Sequence, residues 1–225
     1  MSNRNILAIG ASAGGVEALR FLASEFPREF PASVLMVIHL SSQFPSMLDA
    51  ILTEAGPLAA SFAKDGEKLE KGRIYIGPPG RHLLVESDQL RLGAGPRENN
   101  SRPALDPLFR SAGFCCGPRA IGVVLTGTLR DGAAGLLALK QCGGLTVVQD
   151  PSDAAFGEMP TTALKLSKPD HVVSLAGMPA LLEKLVRQPA GEPVPAPDGM
   201  EFEVNVAKGA GGGAGMAQMD RIGRR

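Results

Sequence analysis

Apolar and polar positions follow one another along this chain in two alternating rhythms. Ile6-Leu7-Ala8-Ile9 is an unbroken apolar run of strand length, and 16–26, VEALRFLASEF, carries its apolar residues at helical spacing. SVLMVIHL (33–40) is almost wholly β-branched and aliphatic, the pattern of a strand covered on both faces of a parallel sheet. FPSMLDAILTEA (44–55) predicts a helix with proline in its first turn. Residues 58–92 change character, with short apolar stretches broken by Asp-Gly, Lys-Gly and Pro-Pro-Gly, and predict antiparallel hairpins. Residues 93–103, GAGPRENNSRP, form a polar loop without periodicity, and loops that long are more often functional than idle. The alternation then resumes: helix over 104–116, strand over 120–127, helix over 135–142, strand over 145–150, helix over 159–167, strand over 171–175 and helix over 178–188.

Strands and helices in turn predict an α/β fold: a doubly wound, mostly parallel sheet with helices on both faces and a hairpin excursion at about 58–92. Beyond Gln188 the chain becomes rich in Pro, Gly and Ala, with GAGGGAG at 209–215. The expected division is a domain over 1–188 and a flexible tail over 189–225.

Composition narrows the classes. At 225 residues, 44% hydrophobic and 20% charged, the chain is long enough for one sizeable core. Lys+Arg and Asp+Glu both number 23, which supplies no field for nucleic acid or an anionic membrane. No apolar run is long enough to span a bilayer, and MSNRN is no export signal, so a cytoplasmic protein is expected. Cys115, Cys116 and Cys142 lack zinc-ligand spacing and are expected to be small buried apolar residues; no metal or cofactor is expected.

The chemistry gathers at GASAGG, Gly10 to Gly15, between the first strand and the first helix. Glycines at 10, 14 and 15 permit a tight turn and close approach, and would lift Ser12 out of the sheet beside unpaired helix N–H groups. Gly10-x-Ser12-x-Gly14 matches the nucleophile-elbow pattern in its strand–turn–helix setting. A phosphate loop lacks its lysine here. A plain glycine-rich turn with a helix-capping serine remains the alternative.

A nucleophilic serine needs a base. The three histidines are His39, His82 and His171. Reactive groups of a parallel sheet collect at the carboxyl ends of its strands. Ser12 ends the first strand and His39 the second; His82 falls in the hairpin region, and His171 opens its strand and is expected at the opposite edge. His39 is therefore the candidate, against the alternative of a core histidine bonded to backbone. The third member is expected to be Asp131, which follows the 120–127 strand in a glycine-flanked turn; Asp150, which ends the 145–150 strand, is its rival, and helix capping is the alternative role.

On these residues the chain resembles the catalytic domain of the CheB family, bacterial chemotaxis receptor methylesterases. The similar segments are IGASAGG (9–15), VIHL (37–40), GRIYIGPPGRHLLV (72–85), RPALDPLFRSAG (102–113), VVLTGTLRDGAAGL (123–136), GGLTVVQDPSDAAFGEMPTTAL (143–164) and HVVSL (171–175). They are collinear and span nearly all of 5–185. The resemblance implies hydrolysis of glutamyl methyl esters on the cytoplasmic domains of methyl-accepting chemotaxis receptors, with deamidation of receptor glutamines as a related reaction. It implies Ser12, His39 and Asp131 as a triad, the same choice that strand direction makes. The N–H of Ala13, next after the serine, is the expected oxyanion donor, and the resemblance implies Thr128 as the second. The loop 93–103 and Gly157, Met159 and Pro160 are candidates for the peptide groove.

Two departures from the family pattern stand out. The family commonly reads T-G-M-G-x-D-G before the triad aspartate, whereas this chain reads Thr126-Gly127-Thr128-Leu129-Arg130-Asp131-Gly132. A backbone donor survives that side-chain change. The family usually carries an N-terminal receiver domain, while the first strand here begins by Asn5; basal hydrolysis without control by phosphorylation is the corresponding expectation, with a separate regulatory protein acting in trans as its alternative. A serine esterase of other substrate, or a non-catalytic regulatory domain, would use the same scaffold.

Overall fold

The computed structural model describes residues 3–39 and 46–209. The expectations for residues 40, 44–45 and 210–225 lie outside the described residues.

The chain runs β1 (Ile6–Ala11), α1 (Gly15–Glu25), β2 (Ser33–Ile38), α2 (Leu48–Ala55), β3 (Ala59–Phe62), β4 (Arg73–Ile76), β5 (His82–Glu86), β6 (Gln89–Gly93), α3 (Leu105–Cys116), β7 (Ala120–Val124), α4 (Ala133–Gln141), β8 (Leu145–Gln149), α5 (Glu158–Ser167), β9 (His171–Val173), α6 (Met178–Val186) and α7 (Met200–Lys208). Seven strands form one parallel sheet in the order β3-β4-β2-β1-β7-β8-β9. β5 and β6 pair antiparallel as a separate hairpin. The fold is thus a doubly wound α/β sheet. The hairpin excursion is narrower than the expected 58–92, because β3 and β4 join the parallel sheet.

Period-two alternation sorts each central strand between two cores. Leu7, Ile9 and Ala11 of β1 and Val34, Met36 and Ile38 of β2 face a core shared with α1, α2 and α6. Ile6 and Ala8, with Leu35 and Val37, face the other core, shared with α3, α4, α5 and the hairpin. Burial on both faces explains why these strands read as unbroken apolar runs. Continued past the strand ends, the same alternation sends Ser12 and His39 toward the α3 side.

The tail expectation is corrected over its described part. α7 packs on α3 and on the β5–β6 hairpin, and Met200, Val204 and Ala207 are buried. Arg4 Nη1 donates to the Pro189 carbonyl at 2.7 Å, so the chain is already tied to the domain where it leaves α6. Met200, Val204 and Ala207 recur at helical spacing, but over nine residues inside a Pro- and Gly-rich stretch, too short a signal to rise above its surroundings. Among the described residues, no helix is long and apolar enough to cross a membrane.

Candidate active site

β1 lies between β2 and β7, so the chain winds away from it in both directions. Its carboxyl end is the switch point where open α/β sheets place their reactive groups. Ser12 stands there. Its N–H donates to the Thr126 carbonyl at 3.0 Å, and its carbonyl accepts from Gly15 N–H at 2.8 Å, closing a tight turn into α1. Gly14 holds that turn at φ +72°, a left-handed conformation that costs other residues.

The structure brings Ser12, His39 and Asp131 into one hydrogen-bonded chain. Ser12 Oγ lies 3.0 Å from His39 Nδ1, and His39 Nε2 lies 2.7 Å from Asp131 Oδ2. A carboxylate only accepts, so Nε2 carries the hydrogen and Nδ1 turns its lone pair to the serine hydroxyl. His39 remains partly open to solvent while Asp131 is 1% exposed.

Asp131 is held from all sides. Its Oδ2 also accepts from Leu105 N–H at 2.8 Å; its Oδ1 accepts from Gly132 N–H at 2.9 Å, Asp106 N–H at 3.2 Å and Asn99 Nδ2 at 2.9 Å. Leu105 and Asp106 open α3, so the carboxylate sits on the positive end of that helix and satisfies N–H groups that have no partner within it. Gly10 makes this possible. A Cβ there would overlap Leu105 Cδ2 and Cγ, so only glycine lets α3 reach the strand end.

Asn99 and Asp106 were not legible as site residues. One Nδ2 of Asn99 bridges Asp106 Oδ2, at 2.8 Å, and Asp131. Asp106 Oδ1 also accepts from Gly135 N–H at 2.6 Å, near the start of α4. Burial, then the neighbouring Asp131 charge, pushes the Asp106 carboxyl up to about 6. The long polar loop was the only signal for Asn99, and for Asp106 there was none.

The other candidates fall elsewhere. His82 is fully buried; its Nε2 donates to the Pro96 carbonyl at 2.8 Å and its Nδ1 accepts from Ala104 N–H at 3.3 Å. Burial lowers its pKa, as befits a neutral imidazole stitching loop to helix. His171 lies on β9, three strand spacings from β1, about 14 Å across the sheet. It is level with Ile9 through the β7 and β8 registers, so lateral distance, not the expected opposite edge, separates it from Ser12. Asp150 accepts from Ser152 N–H and Oγ–H, which lowers its pKa, and forms a local turn away from His39. Cys116 is buried, and desolvation pushes its thiol up to about 12, so it is an inert core residue.

Above Ser12, no described residue accepts from the N–H of Ala13 or Thr128. A Cβ on Gly127 would lie 2.9 Å from Ser12 Cβ, so the backbone leading into Thr128 runs beside the serine. Leu129 follows at φ +66°, a costly conformation for a branched residue, and its N–H donates to Glu158 Oε2 at 3.0 Å. Thr126 Oγ1 donates to the Ala13 carbonyl at 3.0 Å and accepts from Phe156 N–H at 2.9 Å, tying the serine turn to the 153–157 segment.

The groove expectation needs correction. Met159 and Pro160 are buried, because α5 begins at Glu158 and turns them toward the sheet. A Cβ on Gly127 would lie 2.6 Å from Met159 Cε, so Met159 supports the Gly127 turn from within. Gly157 is half-buried at the helix cap. Among the described residues, Leu129, 61% exposed, and Phe156, 47% exposed, present apolar side chains at this rim. Among the described residues, no group of three or more His, Cys, Asp or Glu could hold a metal.

Comparison with known proteins places this geometry in a family. The CheB methylesterase family model matches residues 7–182. A Leptospira interrogans relative is 35% identical over 184 residues, 81% of this chain and 95% of that protein. A protein-glutamate methylesterase/protein-glutamine glutaminase of Methanosarcina mazei is 37% identical over 83% of this chain, and one of Xanthomonas campestris pv. campestris is 40% identical over 76%. The matched regions cover 53% and 48% of those two longer proteins. The crystal structure of the Thermotoga maritima CheB methylesterase catalytic domain superposes with a TM-score of 0.77 at 29% identity, covering 83% of this chain and all of that one. The chain belongs to the CheB methylesterase family.

Proposed function

We propose that this protein is a serine methylesterase acting on glutamyl methyl esters of chemotaxis receptors, in the cytoplasm where those receptors present their methylated helices. The observation that carries this reading is the chain Ser12 Oγ to His39 Nδ1 to Asp131, with contacts of 3.0 and 2.7 Å. His39 Nδ1 takes the hydroxyl proton as Ser12 Oγ attacks the ester carbonyl. Asp131 holds the Nε2–H tautomer and stabilises the imidazolium. The oxyanion that forms is received by the N–H of Ala13 and of Thr128, for which no described acceptor competes. His39 returns the proton to the departing methoxide, and methanol leaves. Water, activated by the same imidazole, then releases the glutamate carboxylate and restores Ser12.

The ring nitrogens serve opposite partners from the familiar triad template, in which Nε2 faces the serine. Either arrangement works, because the chemistry needs one lone pair aimed at the hydroxyl and one N–H held by a carboxylate. An amide carbonyl fits the same steps with ammonia as leaving group, which accommodates the paired activities in the names of the relatives. Leu129 and Phe156 give the rim an apolar surface for a receptor helix.

The test is methanol release from methylated receptor membranes by the purified protein. Turnover that disappears in Ser12→Ala supports the proposal. Turnover of an activated ester such as p-nitrophenyl acetate without any on receptor membranes would point to a serine esterase of other substrate. Inactivity on both would refute the proposal.

A further inference from the structure

α7 lies beyond the family match at 7–182, yet it is joined to the site through the loop 94–103. Ala94 N–H donates to the Lys208 carbonyl at 3.2 Å, and Gly95 N–H to the Ala207 carbonyl at 3.1 Å. A Cβ on Gly95 would overlap the Val206 carbonyl, so the loop backbone lies directly on the end of the helix. Arg110 of α3 forms the second link: its Nη2 donates to Glu98 Oε1 at 2.5 Å, and its Nε lies 3.2 Å from Glu203 Oε2 of α7. Lys208 Nζ donates to Glu86 Oε1 at 2.6 Å, fixing the helix to the hairpin. Between these anchors, reciprocal backbone bonds of Glu98 and Ser101 close a tight turn. Asn99 and Asn100 stand in that turn at φ +48° and +61°. Left-handed backbone persists only where its surroundings over-determine it. Asn99 then reaches Asp131 Oδ1 and Asp106 Oδ2 with one nitrogen.

We propose that α7 is an active-site brace: it fixes the 94–103 loop so that Asn99 holds Asp131 in line with His39, making Asn99 a positioning residue for the triad. This rests on the serine mechanism above. Asn99 touches no reacting atom. It supplies the one side-chain donor, besides His39, to a carboxylate whose other described donors are backbone N–H groups. It also stands between two carboxylates that otherwise face each other. The ionisable groups around them are His39 at the end of β2, His82 on β5, Glu98 and Arg102 on the loop, Asp106 and Arg110 on α3, and Glu203 on α7. Without Asn99 the Asp106 carboxyl loses a hydrogen bond that holds its pKa down and takes up a proton at higher pH, while Asp131 loses the side-chain donor that keeps it in line with His39. The acid limb of the kcat profile is expected to move upward as a result.

The experiment uses the full chain and p-nitrophenyl acetate, with reactive sites counted by fluorophosphonate labelling of Ser12. Asn99→Ala is expected to lower kcat per labelled site by about tenfold to a hundredfold, the usual worth of a hydrogen bond to a charged group, with KM within about twofold and the acid limb raised. Asn99→Asp keeps the size of the side chain and adds a charge. It is expected to be weak at pH 8 and to recover partly as the added carboxyl is protonated. Met200→Asp with Val204→Asp charges the buried face of α7 and is expected to reproduce the kcat loss and the raised limb. Combined with Asn99→Ala it should add little, as changes along one linkage do. Wild-type kcat in Asn99→Ala, a flat profile in Asn99→Asp, or full multiplicativity of the two changes would overturn the brace. Ser12→Ala run alongside separates the two readings. Its full activity would overturn the serine mechanism and the brace together, whereas its loss with Asn99→Ala intact overturns the brace alone.

Discussion

Asp131→Asn separates charge from shape at the centre of the site. The amide is almost isosteric with the carboxylate, but one of its two ends donates. With Nδ2 in the place of Oδ1, it would face three donors: Asn99 Nδ2, Asp106 N–H and Gly132 N–H. With Nδ2 in the place of Oδ2, it meets Leu105 N–H and His39 Nε2. The second orientation costs less, because His39 can exchange tautomers and accept at Nε2. Leu105 N–H is then left buried without a partner, at a cost of about 1–3 kcal/mol. Removing the charge beside Asp106 offsets part of that, so a fall of only a few degrees in the thermal midpoint is expected. The chemistry suffers more. The exchanged tautomer places N–H, not a lone pair, toward Ser12 Oγ, and general-base catalysis is lost. Tautomer disruption of this kind lowers kcat by about 10⁴ in a well-characterised triad on another fold. The assay is kcat and KM for p-nitrophenyl acetate beside a thermal melt, with an expected kcat loss of about 10³–10⁴ at nearly unchanged KM. A variant that melts within a few degrees of wild type and keeps kcat within about tenfold would show that Asp131 does not set the tautomer of His39.

Two further expectations concern the scaffold. Gly10→Ala drives a methyl into Leu105, and overpacking of this kind costs about 1–3 kcal/mol, or about 2–10 °C of melting temperature for a chain this size. kcat should fall with it, since Leu105 N–H is a ligand of Asp131, whereas Gly191→Ala, whose Cβ meets only Pro118 Cβ at 3.8 Å, should change neither. Asp106 gives a pH signature. Its folded pKa of about 6 stands above the ordinary 3.8, so the folded state binds the extra proton between those values and stability falls as pH rises through that window. The resulting penalty is complete above pH 6 and is roughly 3 kcal/mol. In urea titrations, Asp106→Asn should therefore gain on wild type by about that much between pH 4 and pH 7, and a pH-independent difference would contradict the assignment.

Much of the site follows from one-dimensional pattern. Apolar runs that end at Ala11 and Ile38 leave Ser12 and His39 at the carboxyl ends of neighbouring strands, and parallel pairing brings Ala11 level with Ile38. The glycines of the first turn mark where a helix must begin sharply. Such features are legible because burial and backbone conformation are imposed on each residue by its own element. What the sequence left open depends on which elements meet. Asp131 and Asp150 both follow strands of the same sheet, and only the docking of α3 against Gly10 supplies the two backbone N–H groups that make a home for the Asp131 carboxylate. β3 and β4 look like hairpin strands until β2 offers β4 a parallel edge and β4 in turn offers one to β3. Met159 looks like a groove residue until α5 turns it beneath Gly127. Asn99 and α7 carry little periodicity, and their contribution arises from Arg110, which joins Glu98 to Glu203 across a loop and a helix far apart in the chain. Local periodicity records what each residue must bury; the partner it meets there is chosen only when the layers pack.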